Sequence, residues 1–416
     1  MPRSGLSESQ RLHPAHRLWR LLPAGPRRRL LAHGVALVAP RPDREPPPAV
    51  PGLAVAGEVA RASGLGEAAR LFHAAARQLG EACWLIDTGS LVPGEAPDLA
   101  VEGAPAPPPD GVPMLAFVNA PTLPVAAMRL GRRRMGGRRV IGHWVWELET
   151  APATWAAGLR FVHEVWAPTR FTAAALAPLA ARRGLTVRVV PYPVAAAPVA
   201  PAKLGRAAWG LPEDAVVTLV SASLASSMAR KNPLAAIRAH RLAFGDRADR
   251  VLMLKLGHAE HYRDDLAALV AAAEGARNVI WETRTLSPAE SRALTRCCDI
   301  LLSLHRSEGF GLVPAEAMLL GKPVVATGWS GNMDFMDRDT AALVGYRLVK
   351  VDDPRGNYAV PGAVWAEPDV GEAARHLAHL AEDPAARAAL GARAAASVAQ
   401  TLGTRPLADA LAALRG

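Results

Sequence analysis

Short apolar runs alternate with helix-period stretches along most of the chain. In the first half, residues 53–58, 114–119, 139–147, 164–169 and 186–193 read as strands. In the second half, residues 215–221, 251–257, 278–282, 299–304 and 323–327 do the same. Most of these runs are continuously apolar rather than alternating, as in strands covered on both faces. Helical stretches fall between them, at about 66–79, after a Thr169 or Thr172 cap, at 233–244 and at 314–320. Strand–helix–strand repetition predicts parallel sheets with helices on both sides, an α/β fold. A Pro/Ala-rich segment, 191–202, reads as a linker between two such units.

Polar residues collect at the predicted carboxyl ends of the strands, where open α/β sheets bind ligands. The densest collection follows the strand at 299–304. His305-Arg306-Ser307-Glu308-Gly309-Phe310-Gly311 reads as a loop, because two glycines flank one aromatic residue. Pro314 suits the first turn of the helix that follows, and Gly321 its stop. Amides from Gly309 through Phe310, Gly311 and Leu312 to Val313 would point past the helix start and could hold an anion. Glu308 and Glu316 flank this cradle. A carboxylate repels phosphate, so these two suit hydroxyl groups of a sugar or ribose. An anion cradle beside two hydroxyl-binding carboxylates suggests a sugar nucleotide. The rival is an acid placed in a first helical turn simply because the dipole favours it.

Other strand ends add to the set. Ser63-Gly64-Leu65-Gly66 allows a tight turn between the first strand and its helix. Asn119 ends one strand; His143 and Trp144 lie in Gly142-His143-Trp144-Val145-Trp146-Glu147, near the end of another. His143 reads equally as a ligand for a hydroxyl or phosphate and as a satisfied core histidine. Trp144, Trp146 and Trp155 read as packing residues, with one able to stack on an acceptor ring. Arg230 and Lys231 precede the helix at 233–244, where anions are already favoured; the rival is a solvated basic turn. Thr283 follows the strand at 278–282.

The 416 residues are too many for one ordinary domain, and 50% hydrophobic content allows sizeable cores. The formal net charge of +10 suits an anionic donor or an anionic membrane surface. No nucleic-acid-binding motif supports the alternative. Much of the excess lies in residues 1–50, where Arg17-Leu18-Trp19-Arg20 and Arg27-Arg28-Arg29 interleave basic and apolar residues. That extension reads either as a peripheral membrane contact or as a loosely packed terminus. Three cysteines, Cys83, Cys297 and Cys298, form no disulfide framework or metal-ligand spacing. No apolar run is long enough to span a membrane, so a cytoplasmic, at most membrane-peripheral, protein is expected.

Glu308-Gly309-Phe310-Gly311-Leu312, Glu316-Ala317-Met318, Gly321-Lys322-Pro323-Val324 and Ser330-Gly331-Asn332 together resemble the retaining glycosyltransferases of glycosyltransferase family 4. The resemblance implies the GT-B fold, two Rossmann-like domains facing across a cleft. The expected division is residues 1–50 as an extension, 51–200 as the acceptor-side domain, 201–390 as the nucleotide-sugar domain, and 391–416 as a helix crossing back to the first domain. It further implies that Lys231, matching a Lys-Asn-Pro element, and Arg230 neutralise a donor diphosphate. Glu308 would contact the donor sugar, and Glu316 the ribose. The Gly64–Gly66 loop would face the cleft, and the base would sit near Thr283. Asn119 and Trp144 are placed on the acceptor side. In other members a tyrosine commonly replaces His143. No cofactor or metal is expected, and the substrates would be a GDP- or UDP-sugar and a glycan or lipid-linked acceptor. The rival class is a non-catalytic sugar-nucleotide-binding protein on the same fold.

Overall fold

The computed structural model describes residues 34–89, 99–101 and 106–416. The basic segments of the expected 1–50 extension, at Arg17–Arg20 and Arg27–Arg29, on which the membrane contact was read, lie outside the described residues.

Six parallel strands form the first sheet: β1 (Leu53–Gly57), β2 (Cys83–Asp87), β3 (Met114–Phe117), β4 (Val140–His143), β5 (Glu164–Ala167) and β6 (Val187–Val189), in spatial order β2-β1-β3-β4-β5-β6. β1, β3, β4 and β5 are buried along their whole length, which explains their continuous apolar runs. β2 escaped the sequence reading; its half-buried, mixed Cys-Trp-Leu-Ile-Asp pattern marks an edge strand.

The second sheet comprises β7 (Val216–Ser223), β8 (Arg250–Gly257), β9 (Val279–Glu282), β10 (Ile300–Ser303), β11 (Val324–Thr327) and β12 (Ala342–Val344), ordered β12-β11-β10-β7-β8-β9. All its pairings are parallel. The order reverses between β10 and β7. The loops leaving these two strands therefore diverge and open a crevice at their carboxyl ends. Two parallel six-stranded sheets with alternating helices constitute the two-domain GT-B architecture.

Neither sheet contains β13 (Tyr346–Lys350) or β14 (Val364–Pro368), which pair antiparallel as a separate ribbon. Sequence periodicity did not single out this ribbon. At the far end of the chain, the helix Arg405–Arg415 packs against the helix Gly64–Gln78 of the first domain. Arg415 forms a two-pronged contact with Glu81, at 2.7 and 2.8 Å. Bidentate geometry of this kind orients as well as attracts.

Candidate active site

Lys231 and Glu308 leave the two strands that flank the reversal of strand order. Past β7, a single helical turn, Met228–Lys231, is capped by the Ser227 hydroxyl, which accepts from Arg230 N at 3.3 Å. Asn232 closes that turn in the left-handed region, φ 52°, a conformation asparagine tolerates better than most residues. The turn aims Lys231 Nζ at Glu308 Oε1, 2.5 Å away. Arg230 Nη1 approaches Glu308 Oε2 at 3.2 Å. Glu308 itself is fixed through its backbone: its N–H donates to Ser330 Oγ at 2.8 Å, and its carbonyl accepts from Gly331 N at 2.9 Å. The Ser330-Gly331-Asn332 segment thus clamps the carboxylate's base. His305 extends the network, with Ser303 Oγ 3.0 Å from Nδ1 and Asn332 Oδ1 3.0 Å from Nε2.

Burial alone would push the Glu308 carboxyl up, but the Lys231 ammonium and Arg230 guanidinium outweigh it and hold it down, at about 2. Beside this pair is a small recess lined by Ser221, Lys231, Ser303, Glu308, Val313 and Pro314. Ser221 and Ser303 belong to β7 and β10, so the recess is the crevice at the strand-order reversal.

Arg230 does not share Lys231's access. It is 1% exposed, and donates to Ser307 O at 2.7 Å and Ser226 Oγ at 2.8 Å. The Tyr358 ring, from the loop joining the two ribbon strands, covers it at 5.6 Å. It therefore lies behind Glu308, held by the protein's own groups, where a direct diphosphate contact was expected.

The helix after the loop starts at Leu312, not Pro314, because Gly311 adopts φ 100° and caps it, a conformation costly for any residue with a Cβ. Glu316 consequently sits in the second turn. Arg292, 3% exposed, approaches it at 3.4 Å. Burial pushes the Glu316 carboxyl up to about 7, and Glu67 of the first domain adds to the rise, against Arg292 and Arg70. Its electrostatic neighbours therefore come from both sides of the cleft.

Gly309 marks where the domains touch. A Cβ there would stand 2.2 Å from Val145 Cγ2 and 3.1 Å from Trp146 O. The Gly309 carbonyl accepts from Thr169 Oγ1 at 2.8 Å and Thr172 Oγ1 at 3.2 Å. Nearby, Asn119 Nδ2 donates to Val145 O at 3.1 Å and Asn119 Oδ1 accepts from Val145 N at 3.0 Å. It holds the facing loop in place. Gly64 lies across from Leu312, whose Cδ1 would be 3.8 Å from an added Cβ. Gly66 is wedged so closely that a Cβ would meet Arg61 O at 2.5 Å. Arg70 ties that loop together through Val59 O at 2.6 Å and Arg61 O at 3.1 Å.

Several expected site residues fall elsewhere. His143 is fully buried, stacks on Phe117 at 4.9 Å, and contacts Val190 O through Nε2 at 3.0 Å. Burial lowers its pKa to about 4, so it is a neutral core residue. Trp144 is 1% exposed and packs edge-on to Trp155, which removes it from any acceptor ring. The Phe310 side chain turns inward onto Tyr192 and Phe335, at 4.6 and 5.1 Å. Thr283 is exposed at the end of β9, beyond the recess.

Two contributors were missed. Tyr358, far along the chain, reaches the centre only because the ribbon folds over it. Glu147 was read as the end of a strand motif, yet it approaches Arg230 Nη2 at 3.8 Å. Among the described residues no group of three or more His, Cys, Asp or Glu side chains could hold a metal ion. No described helix is long and apolar enough to cross a membrane.

The fold and the paired-charge crevice define a GT-B glycosyltransferase architecture, and the comparisons agree. Residues 174–413, more than half of the chain, match the family model described as family 4 glycosyltransferase in conflict systems, and the chain belongs to that family. HepE from Anabaena, crystallised with UDP and glucose, superposes with a TM-score of 0.58 at 16% identity, over 88% of this chain and 100% of that one. A glycosyltransferase from Rickettsia africae gives 0.58 at 12% identity, covering 88% and 98%. Sucrose-phosphate synthase from Thermosynechococcus elongatus gives 0.56 at 15%, with 88% and 98% covered. At these identities the likeness is one of fold. No curated protein matches the chain.

Proposed function

We propose that the chain is a retaining glycosyltransferase that moves a hexosyl unit from a nucleotide-diphosphate sugar to an acceptor hydroxyl. One observation carries this reading: the Lys231–Glu308 pair, 2.5 Å apart, at the rim of the crevice between β7 and β10. UDP is the first choice of nucleotide, with GDP second, because HepE, which shares the fold, was crystallised with UDP-glucose.

The donor diphosphate enters the recess and takes over Lys231, whose positioned charge stabilises the departing phosphate. Glu308, released from that contact but still held by Arg230 and Ser330, accepts hydrogen bonds from sugar hydroxyls. Glu316 does the same for the ribose in its ionised form. The first amides of the helix Leu312–Leu319 lack a preceding turn to bond and face the phosphate side. The acceptor oxygen attacks the anomeric carbon on the face that the phosphate leaves, and the phosphate takes the hydroxyl proton. Closed contacts across the cleft limit the access of water. The acceptor is a glycan or a lipid-linked glycan.

The test is the anomeric configuration of the first-formed product, followed by NMR. Retention supports the reading, whereas inversion removes front-side transfer.

A further inference from the structure

Four charged groups stand in a row across the domain boundary, alternating in sign. Lys231 meets Glu308 at 2.5 Å, Glu308 meets Arg230 at 3.2 Å, and Arg230 meets Glu147 at 3.8 Å. Lys231 ends the row inside the recess of the second domain. At the opposite end stands Glu147, which belongs to the first domain and follows β4. Its side chain keeps 19% of its surface exposed.

The backbone under Glu147 is firmly held. Its carbonyl accepts from the Ser307 hydroxyl of the other domain. Asn119 brackets Val145 two residues earlier, and Trp146 is wedged between Trp155 and Tyr358 at 5.3 and 5.4 Å. The carboxylate itself stands beyond direct hydrogen-bond distance of Arg230. The Tyr358 hydroxyl takes one acceptor place on it, and a carboxylate on a rigid base with its remaining places open is equipped to receive hydroxyl donors.

The row also has a chemical direction. A diphosphate is drawn to the cationic end, at Lys231, and repelled from the anionic end. A neutral hydroxyl donor has the opposite preference. We infer that Glu147 is the acceptor-binding carboxylate, which receives hydrogen bonds from hydroxyls of a neutral glycan and disfavours an acceptor bearing its own phosphate. This rests on the glycosyltransfer reading above and chooses between its two acceptor classes. In the transfer step the acceptor oxygen bonds to the anomeric carbon, the carbon–phosphate-oxygen bond breaks, and the hydroxyl proton leaves with the phosphate. Glu147 takes no part in the path of the proton and serves to aim the acceptor.

Burial pushes the Glu147 carboxyl up and Glu308 adds to this, while Arg230, Lys231 and the Tyr358 hydroxyl oppose it. A carboxylate so desolvated gains from a hydroxyl partner more than a solvated one would.

The experiment compares the wild type, Glu147→Gln and Glu147→Asp with a UDP-sugar donor. The acceptors are a panel of neutral methyl pyranosides and a polyprenyl phosphate. Donor-induced thermal shift is read alongside transfer. The expected result is transfer to at least one pyranoside and none to the polyprenyl phosphate. Glu147→Gln should raise the acceptor KM tenfold or more with the donor shift retained, and Glu147→Asp should fall between. Three results overturn the inference: an unchanged acceptor KM in Glu147→Gln, efficient transfer to the polyprenyl phosphate, or a wild type that responds to donor yet transfers to no pyranoside. A wild type with no donor response on any nucleotide sugar would instead overturn the glycosyltransfer reading itself.

Discussion

Lys231 Nζ and Glu308 Oε1, from loops that leave different strands, meet at 2.5 Å, with Glu308 9% exposed at its side chain. An unpaired lysine here would leave a charge without a partner in a partly buried crevice. On the proposed reading the pairing neutralises Lys231 in the free protein, and donor binding becomes an exchange of one anion for another. Breaking such a pair from one side strands the other charge, which typically costs about 3–5 kcal/mol when fully buried.

Lys231→Ala should therefore both destabilise the fold, by about 2 kcal/mol given its partial exposure, and abolish the donor-induced stabilisation. The double variant Lys231→Met with Glu308→Gln removes both charges and should recover most of the stability without recovering donor binding. Denaturant unfolding and donor calorimetry on wild type, the single variants Lys231→Met and Glu308→Gln, and the double variant separate the two effects; additive losses of stability would deny the coupling.

Glu316 gives a dependence on pH. Its carboxyl stands near 7, above its ordinary 4.5, so the folded state binds a proton more readily than the unfolded chain. Its stabilising contribution is fully present below pH 4.5 and lost as pH rises through 7. The penalty reaches about 3 kcal/mol at pH 8. Glu316→Gln should remove it, so the stability difference between variant and wild type should grow from pH 5 to pH 8 in the variant's favour. A difference independent of pH would place the carboxyl in an ordinary, solvated setting.

For His143 the sign is opposite. Its pKa is lowered to about 4 from 6.5, so its contribution is present above pH 6.5 and lost as pH falls toward 4. His143→Phe keeps a planar ring between Phe117 and Phe72, and should flatten the acid side of the stability curve while transfer activity persists within about threefold. His143→Ala should cost about 2–4 kcal/mol through the cavity it leaves. A loss of turnover in a well-folded His143→Phe protein would return the histidine to the reaction.

Gly309→Ala tests the close approach of the domains. The new methyl group would fall 2.2 Å from Val145 Cγ2, forcing the loop or the domain contact to shift. Expected are a loss of about 1–3 kcal/mol in stability and a drop in turnover of at least tenfold. Adding Val145→Ala should restore part of both, although Trp146 O remains close at 3.1 Å. An unperturbed single variant would mean that the domains do not meet there in solution.

Much of the fold was legible because the buried parallel strands advertise themselves. Val324–Thr327 and Met114–Phe117 are buried throughout and apolar except for the closing Thr327, and Pro233–Phe244 carries a proline at its start and a glycine after its end. The Glu308–Leu312 loop could be read because strand, glycines and helix follow one another directly. What escaped detection depends on tertiary placement. Nothing local distinguishes Tyr358 from any loop tyrosine until the ribbon brings it over Arg230. His143 and Trp144 sit at a strand's carboxyl end, as a ligand-binding residue would. Their side chains are nevertheless enclosed by Phe72, Phe117 and Trp155, neighbours that no spacing rule supplies. Arg230 and Lys231 are adjacent in sequence but point apart, one into the core and one into the recess. Only the capped turn at Ser227 determines which is which.

The most direct measurement is calorimetric titration of the protein with UDP-, GDP- and ADP-sugars, on wild type and Lys231→Ala. The account predicts that one nucleotide sugar, with UDP the first candidate, binds wild type at micromolar to low millimolar concentration. It also predicts that Lys231→Ala weakens that binding at least tenfold. Equal affinity in the two proteins, or no binding of any nucleotide sugar to wild type at millimolar concentration, would contradict it.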